Sequence, residues 1–313
     1  MARRKKGRPV HGWLIIDKPK GLTSTVVVTK LKRAFDARKA GHAGTLDPIA
    51  TGILAVAFGE ATKTIPYVVD AEKTYRFTAS FGEARDTDDA EGKIVATSEK
   101  RPARDEILAA LPSFIGEIEQ TPPAYSAVKV AGERAYDLAR SGEAVELAPR
   151  PVFVRSLELL AMPDAAHAEF AMTCGKGTYV RAFVRDLGQK LGCYAHVSDL
   201  RRTKLGPFSE SQAIPLDLAM DFGNSPPAQN GLLPLKTALA DIPALAVAEG
   251  DAARLRTGQA ALLRGRLFHE AQEFAGAAKP RTVLVTDGVG DPIAIAELDR
   301  GEIVPLRVFN FGA

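Results

Sequence analysis

A chain of 313 residues, 46% hydrophobic and 25% charged, has the composition of an ordinary globular protein and the length for two domains. Two cysteines, Cys174 and Cys193, and no His/Cys cluster exclude a disulfide scaffold or structural zinc framework, and no apolar run reaches membrane-spanning length. The net charge of +3 hides an asymmetry: residues 1–40 carry twelve Lys/Arg against Asp17 and Asp36, leaving −7 for the remainder, which points to a polyanionic partner near the N-terminal end.

The basic start, MARRKKGRPVHG, is followed by no long apolar segment, so it does not read as a signal peptide and a cytoplasmic protein is expected. Residues 13–16 (WLII) predict a buried strand ending in the turn Asp17-Lys18-Pro19-Lys20-Gly21. Thr23 and Ser24 can cap a helix carrying Val27, Val28, Leu31 and Phe35. A Gly-rich loop over 41–48 precedes a second buried run, 53–58. Residues 60–69 predict a helix, 74–81 a strand, 81–92 an acidic loop and 104–115 a helix. The Pro pair at 122–123 predicts an extended link over 120–123, and 133–140 a further helix. Strands over 152–160 and 168–174 lead to the turn Gly175-Lys176-Gly177. A helix then shows Val180, Phe183, Val184, Leu187 and Leu191 on one face. Residues 221–231 (DFGNSPPAQNG) read as a linker to a small β-rich tail with strands over 262–268, 281–285, 293–298 and 303–308.

Three tempting motifs fail. Gly175-Lys176-Gly177-Thr178 lacks both the leading Gly and the hydroxyl after Lys that a phosphate-binding loop requires. Asp86-Thr87-Asp88-Asp89 lacks the later ligands of a calcium loop. The five histidines show no zinc spacing, so no metal is expected.

The loop GHAGTLDP concentrates chemistry instead. Gly41 and Gly44 let the backbone approach a ligand, His42 offers a donor and an acceptor, and Asp47 offers a carboxylate. Asp before Pro also fits a helix N-cap, and both readings of Asp47 stay open at this point.

The runs KPKGLTS (18–24), GHAGTLDPIATG (41–52) and CGKGTYVR (174–181) resemble the bacterial TruB family of tRNA pseudouridine-55 synthases. So do KTY (73–75), DTD (86–88), PPAYSAVK (122–129) and LRRT (200–203), a likeness spanning about residues 10–210. The resemblance implies a mixed α/β pseudouridine synthase fold, with a largely antiparallel central sheet flanked by helices. It implies a catalytic domain over 1–235 with a basic tail (1–10), and a PUA-like RNA-binding domain over 240–313.

It also implies roles. Asp47 falls on the family's nucleophile, Tyr75 on its base-stacking ring, Arg181 on the arginine that pairs with the carboxylate, and His42 on the residue that props the opened RNA loop. Leu200 and Tyr179 fall on the uracil pocket, and Lys18 and Pro19 on the motif beside it. The implied substrate is the T stem-loop of tRNA, bound by a monomer without cofactor, because substrate and product are isomers. Asp47 could attack C1′ or C6, or stabilise charge at C1′ while removing a C2′ proton. For the RNA backbone the cationic candidates are Lys20, Lys30, Lys32, Arg33, Arg38, Lys39, Arg201, Arg202 and Lys204.

Overall fold

The computed structural model describes residues 7–126, 128–130, 133–135, 138, 147–222, 231–265 and 281–312. The basic residues of 1–6, most of the linker at 221–231, the end of the strand expected over 262–268 and most of the helix expected over 133–140 lie outside these.

The first large unit is built on a ten-stranded sheet. Its strands run in the order Ile214–Pro215, Gly12–Lys18, Thr51–Phe58, Ala195–Leu205, Lys73–Phe81, His167–Cys174, Arg150–Asp164, Gly116–Gln120. Ala40–Ala43 pairs onto Thr51–Phe58, and Phe208–Ser209 onto Ala195–Leu205. Two of the pairings are parallel, Gly12–Lys18 with Ile214–Pro215 and Thr51–Phe58 with Ala195–Leu205; the others are antiparallel.

The continuous apolar runs are continuous because both sheet faces are covered. On one side Leu14, Ile16, Leu54, Val56 and Phe58 join Val27 and Leu31 of the helix Ser24–Ala34 in a core that also holds Phe77, Phe170 and Phe183. On the other, Trp13, Ile15, Ile53, Ala55 and Ala57 pack with Leu205, Phe208, Leu235 and Leu239, and with Leu284, Ile295 and Phe309 of the C-terminal unit. That unit is a five-stranded sheet ordered Ala244–Ala246, Arg281–Thr286, Pro292–Asp299, Glu302–Val308, Ala261–Leu262, with the helix Glu249–Arg256 against it. Lys63 Nζ donating to the Val308 carbonyl and Asn310 N–H donating to Glu60 tie the two units together.

Several expected elements change. Residues 59–64 form a 3-10 turn before the short helix Ile65–Asp70, and the 104–115 helix ends at Ala110 before a 3-10 turn beginning at Leu111-Pro112. Part of the acidic loop, Glu83–Arg85, is a strand that pairs with Ile94–Thr97 just beyond it. Gln120 belongs to the strand Gly116–Gln120, so the extended link begins after it. Glu133–Arg134 pairs as a strand with Lys129–Val130, so the helix expected over 133–140 starts later than expected: of its described residues Ala135 and Leu138 are helical. The strand Ala195–Leu205 was not expected at all, although it lies inside the sheet. Register shifts at Val197/Asp199 and Arg202/Lys204 break its in-out alternation, erasing the period-2 signal. Among the described residues no helix is long and apolar enough to cross a membrane.

Candidate active site

The loop after Ala40–Ala43 is fixed from several sides. Ser24 is 1% exposed; its hydroxyl donates to the Leu46 carbonyl at 3.0 Å and accepts from Leu46 N–H at 2.8 Å. Gly21 N–H donates to the Pro48 carbonyl, and Lys18 Nζ donates to the Pro19, Leu22 and Pro48 carbonyls. Burial pulls the Lys18 ammonium down to about 8, against the attraction of Asp47. Gly44 takes φ +77°, open to glycine at little cost. No helix follows Asp47: Ala50 N–H closes a turn on the Asp47 carbonyl, so the carboxylate is not consumed as a cap.

That carboxylate meets Arg181. The helix Val180–Lys190 buries Phe183, Val184 and Leu187 against the sheet, and Phe183 sits edge-on to Phe77, Phe114 and Phe170 at centroid distances of 5.1–6.0 Å. Each such buried side chain contributes about 1.5–3 kcal/mol, so the first turn bearing Arg181 is rigidly held. The Arg181 side chain is 4% exposed, whereas that of Asp47 is 36% exposed. Nε and Nη2 both lie 2.9 Å from Asp47 Oδ2, Nη1 donates to the Thr87 carbonyl at 2.8 Å, and Nη2 donates to the Tyr125 carbonyl at 2.9 Å. Asp89, buried, stands 3.6 Å from Nε and accepts from the Thr87 hydroxyl and Glu91 N–H. The cation is thus enclosed and fully engaged, while the anion faces open space.

The space is a cavity of about 720 Å³, lined among others by His42, Asp47, Tyr75, Tyr125, Tyr179, Arg181, Leu200 and Arg202. Tyr75 projects from Lys73–Phe81, opposite Arg202 on the neighbouring strand. Burial raises the Tyr75 phenol above its ordinary pKa, opposed by the adjacent Arg202 guanidinium. Burial, reinforced by Arg202, lowers the pKa of His42. Tyr179 is seated by a reciprocal clamp in which buried Gln120 accepts from its N–H at 2.8 Å and donates to its carbonyl at 3.1 Å. Arg150 lies over the Tyr179 ring at 5.6 Å.

The structure therefore brings Asp47, Tyr75, Arg181, His42, Tyr179 and Leu200 into one wall. Lys18 and Pro19 are outside it: Lys18 is a buried staple for the loop and Pro19 is exposed. Arg202 is not a surface contact for the RNA backbone: it is 1% exposed beneath the loop, at the edge of the cavity. Arg201 holds Asp17 with both Nη atoms, at 2.9 and 3.0 Å, and Glu210 with Nε, so it is not available as a simple phosphate contact. Lys20, Lys30, Lys32, Arg33, Lys39 and Lys204 are exposed; Arg38 is exposed and donates to the Gly7 carbonyl. Ser24, Gln120, Asp89 and Arg202 were missed as supports, because what they hold is distant in sequence and leaves no local pattern.

A family model described as TruB family pseudouridylate synthase (N terminal domain) matches residues 32–180, and one described as tRNA pseudouridylate synthase B C-terminal domain matches residues 181–240. The tRNA pseudouridine synthase B of Nitrobacter winogradskyi is 55% identical over 98% of this chain and 85% of its own. That of Dinoroseobacter shibae is 51% identical over 100% of both. Among solved structures, a Cbf5-Nop10-Gar1 complex matches with TM-score 0.73 at 24% identity over 97% of this chain and 86% of that chain. An H/ACA RNP bound to a substrate RNA containing 2′-deoxyuridine matches at 0.73 and 23%, over 99% of this chain and 92% of that chain. At those identities the structures speak to the fold, which they share with this chain.

Proposed function

The chain belongs to the TruB family of pseudouridylate synthases, and from that premise we propose that it isomerises a T-loop uridine of tRNA to pseudouridine, with Asp47 as the catalytic carboxylate. The N1–C1′ bond breaks, the uracil turns, a C5–C1′ bond forms, and the proton lost from C5 is balanced by one gained at N1. No redox partner or energy source enters that balance.

The observation that carries the reading is the asymmetry of the Asp47–Arg181 pair. Arg181 is enclosed and Asp47 is open to a cavity large enough for a nucleotide. A carboxylate oriented by a buried guanidinium and facing a bound ribose can serve at C1′, C6 or C2′. Extruding a stacked uridine costs roughly a few kcal/mol, and stacking on Tyr75 returns about 1–3 kcal/mol of it. His42 stands beside the loop to occupy the place the base leaves, and Leu200 and Tyr179 form the apolar pocket wall. Residues 1–235 are the catalytic unit in this reading, and 240–313 a PUA-like unit adding RNA contacts. The protein acts as a cytoplasmic monomer, a setting that suits its two buried, unpaired thiols.

Incubation with an unmodified tRNA transcript, followed by carbodiimide treatment and reverse transcription, tests this. A new stop at a T-loop uridine is expected. No stop anywhere refutes the activity, and a stop elsewhere refutes the position.

A further inference from the structure

Arg202 is a cation in a place that offers it no carboxylate: among the described residues no ion pair involves it, and it is 1% exposed. A buried charge is costly unless its donors are engaged, and here they are engaged by the two ends of the Asp47 loop. Nη2 donates to the Gly44 carbonyl at 3.1 Å, three residues before Asp47, and Nε donates to the Ile53 carbonyl at 2.8 Å, six residues after it. Nη1 packs so closely that a Cβ on Gly44 would sit 3.3 Å from it. On the sheet Arg202 is the register partner of Tyr75, and the two side chains line the same cavity. The apolar side chain that would fill this place more cheaply could brace none of these groups.

We infer that Arg202 is a positioning residue that locks the Tyr75 ring to the Asp47 loop, fixing the stacking platform at a set distance from the catalytic carboxylate. This rests on the reading of the cavity as a uridine site. A planar guanidinium has five donors in a fixed fork and can brace two carbonyls and a phenol oxygen at once; an ammonium on a flexible stem cannot hold all three in one plane. Because Arg only donates, the Tyr75 oxygen is the acceptor in this role, held by its register partner on the neighbouring strand with the ring face left to the base. At 1% exposure on the edge of the cavity, Arg202 in this role contributes through Tyr75 and the loop.

The experiment compares wild type, Arg202→Lys, Tyr75→Phe and the double variant, using the full chain and an unmodified tRNA transcript. Single-turnover rate, tRNA affinity at two salt concentrations and melting temperature are read for each. Losing the oriented contacts should lower the Arg202→Lys rate by about 10–100-fold. Affinity should stay within about threefold with an unchanged salt slope, since no phosphate contact is lost. In the Tyr75→Phe background, where the hydroxyl partner is absent, the same substitution should cost clearly less, because coupled residues are not additive. An undiminished rate, an equal cost in both backgrounds, or weakened affinity with a shallower salt slope overturns the inference. If Arg202→Lys does not fold, Arg202→Gln replaces it; failure of both to fold makes the residue architectural and overturns it too. A wild-type protein that leaves tRNA unmodified sinks the functional reading instead, whereas an active wild type with an equally active Arg202→Lys sinks the inference alone.

Discussion

Charge at the residue scale is arranged so that the two arginines beside the cavity are buried while Asp47 presents its carboxylate. Arg181 and Arg202 are both enclosed, one pointing a carboxylate into the cavity and the other bracing the loop that carries it. Asp88 is the counter-example. It adopts φ +58° and meets Arg185 at 3.0 Å, yet burial pushes its carboxyl up to about 6, against the attraction of Arg185 and Arg181. Because the folded pKa exceeds the unfolded one, the stability this group adds is complete below the unfolded value near 3.8 and is lost as pH rises through 6. Asp88→Asn keeps a residue that tolerates left-handed backbone and removes the titration. Urea unfolding of both proteins should show wild type gaining up to about 3 kcal/mol relative to the variant between pH 7 and pH 4. A pH-independent difference would contradict the assignment. Asp47 and Arg181 were legible in the sequence through their motifs, but the destiny of Arg202 was not: Arg201 and Arg202 look alike until the strand assigns them to opposite faces.

The elements that could be read from the sequence were those with an uninterrupted signal. Residues 13–16 and 53–58 are apolar on both faces, and Thr23 caps Ser24–Ala34 by accepting from Val26 N–H. Ala195–Leu205 was invisible because two bulges move its buried residues out of step, and the Gly116–Gln120 edge strand because it alternates Gly, Glu and Gln around one Ile. The bulged strand matters for the site, since it delivers Leu200 to the cavity wall and Arg202 beneath the loop. Its approach to Thr51–Phe58 leaves no room at Gly52, whose φ is +91° and where a Cβ would lie 2.3 Å from the Arg202 carbonyl oxygen. Left-handed backbone and overpacking against a main chain together predict that Gly52→Ala costs about 2–5 kcal/mol in denaturant unfolding. A neutral Gly52→Ala would mean that the two strands can separate there without loss.

At the scale of the whole molecule, the sheet that carries the cavity and the C-terminal sheet pack against each other. The C-terminal unit is docked by Leu284, Ile295 and Phe309 against Trp13 and its neighbours. Exposed cations on and near Ser24–Ala34, Lys30 and Lys32 in particular, belong to the surface expected to meet RNA phosphates. Each one replaced by Gln should reduce the slope of log affinity against log salt by about 0.7–0.9 if it contacts a phosphate. Arg201→Gln should leave that slope unchanged, because its donors already hold Asp17 and Glu210. The proposed chemistry depends on Asp47, and the direct measurement is tritium release from tRNA carrying uridine labelled at C5, with affinity measured on the same preparations. Wild type should release the label, and Asp47→Asn should bind within about threefold of wild type yet release it a thousandfold or more slowly, an order of magnitude set by losing the reacting group. Tritium release by Asp47→Asn at the wild-type rate would remove this carboxylate from the chemistry.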